Sequence, residues 1–257
     1  EYSLLRQNIS LRLYVKEILL NINFDKRTKI FFIIIIAAIL LLITGSSSGF
    51  INKLLFLPGI IIGITFHEAA HGYVSHWLGD PTPKNQGRLS LNPLSHIDPM
   101  GFIALLLVGF GWGKPVMIDP RYYKNPKRDE LLVSLAGVTT NLIIAIIFAV
   151  IQILLIEAGI AYSLGSTWNM LNLMIQYVVF VNLVLMCFNL LPIPPLDGFS
   201  VITQLFDLRR YDWYYKLYSN GFFILMALVF IGALDGFLDK SVTFFYYNIM
   251  RAVLNII

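Results

Sequence analysis

The chain is predicted to be an all-α polytopic membrane protein, with about five to six transmembrane helices and a short re-entrant or β-hairpin segment near its candidate active site. Three observations carry that prediction. Hydrophobic residues make up 57% of the 257 and charged residues only 13%, whereas a soluble domain carries nearly twice that charged fraction. Mean hydropathy is +0.73. The basic residues lie in the gaps between long apolar runs, as topology signals do. The net charge of +4 therefore describes loops beside a lipid bilayer, and no nucleic-acid surface is read from it. The single cysteine, Cys187, excludes an internal disulfide and a thiolate metal cluster.

The elements follow in order. Residues 1–28 mix apolar and basic side chains and suit an N-terminal interfacial or cytoplasmic segment, or equally a solvated leader. No cleavable signal peptide is visible there. Residues 29–44, IFFIIIIAAILLLIT after Lys29, form a first span closed by the turn residues of 45–49. Residues 51–78 form a second. A polar loop, DPTPKNQGRLSLNPLSHIDP, leads to the apolar stretch 101–113, which is too short to cross comfortably and reads as re-entrant. After the basic loop 114–128, helices are predicted over 131–158, 170–191 (stopping at Pro192) and 221–238. The domain reading is 1–28 as the N-terminal segment, 29–240 as the membrane core and 241–257 as an amphipathic tail.

Charge tests this layout. Six Lys/Arg lie up to and including Lys29 at the start of the first span, seven lie in 79–130 and three in 201–220, while the opposite side holds only Lys53, Lys240 and Arg251. The bias places the N-terminus and the neighbouring loops in the cytoplasm, in a multi-pass protein with 101–113 not crossing. If 101–113 crossed, the five basic residues of 114–128 would face the wrong side.

Within the second span lies His67-Glu68-Ala69-Ala70-His71. Histidines four apart stack on one helix face, where neutral ring nitrogens can share a metal ion. Glu68 beside them can act as a general base on metal-bound water. His76 is turned roughly 140° from that face and suits a cap or interface position instead. Val74 and Trp77 occupy the positions where a metzincin would carry glycine and histidine. Glu130, read as part of the basic loop, is a poor thermolysin-type third ligand. His96 and Asp98 are ligands by type, though turn chemistry explains their Pro-rich loop. Asp197, in Asn189-Leu-Leu-Pro-Ile-Pro-Pro-Leu-Asp197-Gly198, is the better third ligand. A carboxylate at membrane depth costs roughly 2.5–3.5 kcal/mol and is normally paired or cation-bound. Helix N-capping is the alternative reading of Asp197.

HEAAH in an apolar helix, the loop GRLSLNPLSHIDPMG and the later FNLLPIPPLDG together resemble the site-2 protease family of intramembrane zinc metalloproteases, in its compact prokaryotic form without a PDZ domain. The likeness spans about residues 63–203. It implies Zn2+ as cofactor, His67, His71 and Asp197 as its ligands, Glu68 as the base, and Asn189 as a group that holds the substrate carbonyl or oxyanion. Val138, in Ala136-Gly137-Val138-Thr139-Thr140-Asn141, stands where members usually carry proline.

The resulting expectation is an endopeptidase acting on transmembrane protein or peptide substrates in the bilayer, which can also be oligomeric. A substrate helix must unwind locally to expose its carbonyls. Residues 112–118 offer an extended edge for it to join as a strand, although Pro115 removes one donor and a plain re-entrant turn is the alternative. Trp112, Val116, Asn141 and His96 are the substrate-binding candidates. Asn172, Gln176 and Asn182 either line a polar cavity or bond between helices. The aromatics of 211–215 and 244–247 read as interface anchors. The competing classes are a metal-binding membrane transporter and a catalytically silent family member.

Overall fold

The computed structural model describes residues 47–108 and 111–256. The expected interfacial segment 1–28 and the first span 29–44 lie outside the described residues. The fold is all α-helical, in the order α1 (Ser47–Trp77), α2 (Thr82–Asn85), α3 (Pro99–Val108), α4 (Pro126–Glu157), α5 (Ile160–Leu164), α6 (Ser166–Asn189), α7 (Asp197–Phe206), α8 (Asp212–Phe230) and α9 (Asp235–Ile256).

Three described stretches are long and apolar enough to cross a membrane: Leu54–Trp77, Pro126–Glu157 and Thr167–Asn189. At 1.5 Å per residue each exceeds the roughly 30 Å hydrocarbon core. They belong to α1, α4 and α6, which pack on one another as the central trio. Small residues permit the approach, as is usual between helices in lipid. A Cβ at Gly63 of α1 would sit 2.6 Å from Leu185 Cδ1 of α6, and one at Gly59 would sit 2.8 Å from the Tyr177 carbonyl oxygen. Pro58 lies inside α1 without ending it.

α4 begins five residues before its predicted start. Asn125 caps it, accepting from the Arg128 amide, while Asp129 accepts from the Asn125 amide at 3.0 Å. Pro126 occupies the first helical position, where its missing N–H costs nothing. Glu130 is consequently on a helix rather than in a loop. Val138, at the proline position, packs in the core with Val179 and Leu183, and α4 runs through it unbroken.

The stretch after α3 forms no named strand among the described residues. In place of a β-hairpin, a single antiparallel bridge joins Ile97 to Gly113, so the chain returns next to where it left. Residues 111–119 then run without helix or named strand, with Asp119 in the β region at the far end. The last predicted span is also different. α8 ends near Gly232, whose φ of 69° suits a residue without a side chain, and α9 leaves at 82°. The amphipathic tail is the body of α9, with Val242 and Val253 buried against α4 and α6.

Candidate metal centre

α1 carries His67 and His71 on the face turned toward α4, and α7 brings Asp197 from its first turn, just after the proline-rich 192–195 stretch. The two imidazole Nε2 atoms lie 3.1 Å apart, and Asp197 Oδ2 lies 3.3 Å from each. Among the described residues this is the group of His, Cys, Asp and Glu side chains placed to share an ion.

The outer bonds decide which atoms face the centre. His71 Nδ1 is 2.7 Å from the Val133 carbonyl oxygen, which can only accept, so Nδ1 carries the hydrogen. Asn141 Nδ2 donates to the Gly63 carbonyl and to Asn182 Oδ1, while Asn182 Nδ2 donates to the Val178 carbonyl. These backbone acceptors orient both amides. Asn141 Oδ1 therefore faces His67 Nδ1 at 2.7 Å, and that nitrogen too must donate. Both Nε2 atoms are left with lone pairs directed at a carboxylate oxygen that is itself buried without a hydrogen-bond partner. Three acceptors converging at 3.1–3.3 Å repel one another unless a cation sits among them. Two nitrogens and one oxygen suit zinc with an open fourth position.

Gly137 on α4 makes the approach possible. A Cβ there would lie 2.6 Å from both His67 Nδ1 and His71 Nε2. Gly137 and Asn141 are four residues apart, on one face of α4, as His67 and His71 are on α1. That shared spacing is the signal by which sequence reading could have paired the two helices.

Glu68 is half-buried beside the cluster, and its Oε2 accepts from the Val116 amide at 3.0 Å. Val116 thus meets Glu68 through its backbone. Trp112 is exposed and packs edge-on against Phe222 of α8 at 6.2 Å. The His96 side chain is fully buried, with Nε2 2.6 Å from the Ser90 carbonyl. Burial holds its pKa below the usual histidine value, so the ring is neutral. The carbonyl of His96 is the part that faces the 111–119 segment, accepting from Lys114 N at 2.7 Å. Asp98 accepts from Gly101 N at 2.8 Å at the start of α3, which is the turn chemistry expected of that loop. His76 Nδ1 bonds the Asp80 carbonyl at the end of α1. Asn189 closes α6, its amide donating to the Leu185 carbonyl at 3.0 Å. Asn141 is fully buried, with both ends of its amide committed to His67, Gly63 and Asn182. Asn172 bonds Gln152 across α6 and α4 at 2.7 Å, the interhelical role.

A family model for Peptidase family M50 matches residues 158–232, the part that contains Asn189 and Asp197. The chain is 40% identical over 173 residues to YwhC of Bacillus subtilis, covering 66% of this chain and 77% of that one. The chain belongs to peptidase family M50. This is the site-2 protease family, a zinc-dependent metalloprotease family, and the helices described above make the chain an integral membrane member of it. Rip2 of Mycolicibacterium smegmatis is 26% identical over 206 residues, 75% of this chain and 73% of its own. Rip2 of Mycobacterium tuberculosis is 30% identical over 156 residues, 58% and 56% respectively. These relatives carry the name "Putative zinc metalloprotease". No solved structure matches the chain.

Proposed function

We propose that this M50 peptidase is an intramembrane endopeptidase, in which His67, His71 and Asp197 hold zinc and Glu68 is the general base for hydrolysis of a transmembrane substrate. The observation that supports it most is the convergence of three lone-pair atoms beside Glu68, on a helix apolar enough to cross the bilayer. Zinc bound there supplies Lewis acidity, polarising a carbonyl and lowering the pKa of water.

The chain's own residues do the rest. Asn141 and the Val133 carbonyl hold each imidazole by Nδ1, so that Nε2 is presented inward. Glu68 takes a proton from the attacking water and returns it to the leaving amine. The Asn189 amide, at the end of α6, has one further N–H with which to hold the developing oxyanion. Residues 112–118 offer a non-helical backbone that an unwound substrate can join, with Trp112 and Met117 exposed along it. The basic loops assign the N-terminus and the active-site side to the cytoplasm, from which water reaches the site.

The test compares wild type with Glu68→Gln on a model transmembrane substrate in detergent, with zinc measured in both. Glu68→Gln is expected to keep zinc and to lose roughly 100- to 10,000-fold in turnover. Equal cleavage by the two proteins refutes the assignment of the base. Bound zinc with no Glu68-dependent cleavage returns the chain to a transporter or a silent family member.

A further inference from the structure

The irregular segment 111–119 is held at both ends and meets Glu68 between them. At one end Gly113 bridges Ile97, and Lys114 N donates to the His96 carbonyl at 2.7 Å, while the buried His96 ring keeps that loop in place. At the other, Asp119 N donates to the buried Asp80 carboxylate at 2.8 Å. Between the anchors the Val116 amide donates to Glu68 Oε2 at 3.0 Å. Gly113, nearer the first anchor, lies closest to Ile64 on this face of α1. A Cβ at Gly113 would lie 3.5 Å from Glu68 Oε1 and 2.9 Å from Ile64 Cγ2, so the strap runs against this face of α1 only because residue 113 has no side chain.

We infer that the strap is a positioning device for the base, and that the Val116 backbone N–H is its working group. The reading rests on the proposed role of Glu68. A glutamate side chain has three rotatable bonds, and a base is effective only within hydrogen-bond reach of the proton it takes. One N–H fixed by two anchors restricts that freedom and commits Oε2, which leaves Oε1 as the oxygen to take the proton. Because the same strap is the edge offered to an extended substrate, a peptide that seats on it does so on the element that aims the base. A misplacement of about 1 Å can cost on the order of 100-fold in rate.

The experiment compares Val116→Pro, which removes the N–H, with Val116→Ala, which keeps it, in the full chain on the same transmembrane substrate. The expected result is a kcat for Val116→Pro about tenfold or more below that of Val116→Ala, with KM within about threefold and zinc content equal. Equal kcat in the two variants overturns the inference. A change confined to KM also overturns it, in favour of a strap that only pairs with substrate. Should Val116→Pro fail to retain zinc, a backbone ester at residue 116, which deletes the hydrogen and keeps the shape, decides on the same criteria. The outcome is separable from that for Glu68 itself: wild type cleaving, Glu68→Gln not cleaving, and Val116→Pro matching Val116→Ala would leave the base in place and remove the strap's role.

Discussion

His67 Nδ1 donates to Asn141 Oδ1 at 2.7 Å, in the buried space where α1, α4 and α6 meet. The bond sets the tautomer of His67 and hence which nitrogen faces Asp197. Replacing Asn141 with Ala should weaken zinc binding about 10- to 100-fold, the usual cost of losing a partner behind a ligand. Asn141→Asp keeps the acceptor but loses the donations to Gly63 and Asn182. It should retain more zinc affinity than Asn141→Ala. Chelator competition measures both, and equal affinities for Asn141→Ala and wild type would show that the tautomer is set by something else.

Gly137→Ala tests the same interface from the opposite side. Its methyl group would lie 2.6 Å from a nitrogen of each histidine, and α4 can yield only by moving off α1. Zinc content and cleavage should both fall, while the helical circular dichroism stays near wild type. A variant with full zinc occupancy would mean that α1 and α4 separate at little cost. Interiors packed to crystal-like density make that unfavourable.

The contrast between these residues and the three placed around the centre explains what was legible in the sequence. His67 and His71 show themselves by local spacing on one helix, and Asp197 by the cost of a carboxylate in lipid, so neither needs knowledge of a partner helix. Gly137 and Asn141 act across an interface: their four-residue spacing matches that of His67 and His71, but spacing alone does not say which helix they will meet. The early start of α4 was written in Asn125-Pro126, but a cluster of lysine and arginine beside it reads equally well as a topology loop. The break at Gly232 is similar: one glycine in an apolar run is tolerated in many membrane helices, and only packing decides whether it bends. The Val116 to Glu68 bond depends on the route of a non-helical segment, which has no periodicity to read.

Asp80 gives a pH dependence outside the spanning helices. It is fully buried just past the end of α1 and accepts from Thr82 N, Asp119 N and Ser75 Oγ, while Tyr123 lies 2.8 Å from Ser75 Oγ. Burial by itself would raise its pKa, but the hydrogen bonds outweigh that and hold it below the usual aspartate value. A depressed folded pKa means that the stabilisation is fully present above the unfolded value near about 4 and is lost as pH falls below it. Thermal unfolding in detergent should therefore lose an Asp80-dependent contribution only below about pH 4. Asp80→Asn should cost roughly 2 kcal/mol at pH 7, because an amide turns donors toward donors. It should also reduce cleavage, since Asp80 anchors one end of the strap. If wild type and Asp80→Asn differ equally at pH 7 and pH 3, the carboxylate's charge is not the source of the effect.

A second tie fixes the helix that carries Asp197. Glu130, near the start of α4, accepts from Gln204 Nε2 of α7 at 2.5 Å and from both terminal nitrogens of Arg209, at 2.5 and 3.1 Å. Glu130 is buried and the Arg209 side chain is 48% exposed. Removing the arginine leaves a buried carboxylate without its counter-charge, a loss of roughly 3–5 kcal/mol for fully enclosed pairs. With the guanidinium half in solvent, roughly 2 kcal/mol is the better expectation for Arg209→Ala. Replacing both partners by leucine removes the stranded charge as well, so the double variant should be more stable than Arg209→Ala alone. Because α7 begins at Asp197, Arg209→Ala should also loosen zinc, measurable as faster loss to a chelator at constant pH. Thermal midpoints in detergent for the single and double variants decide the matter, and a double variant no more stable than Arg209→Ala would mean that Glu130 reaches water when its partner is gone.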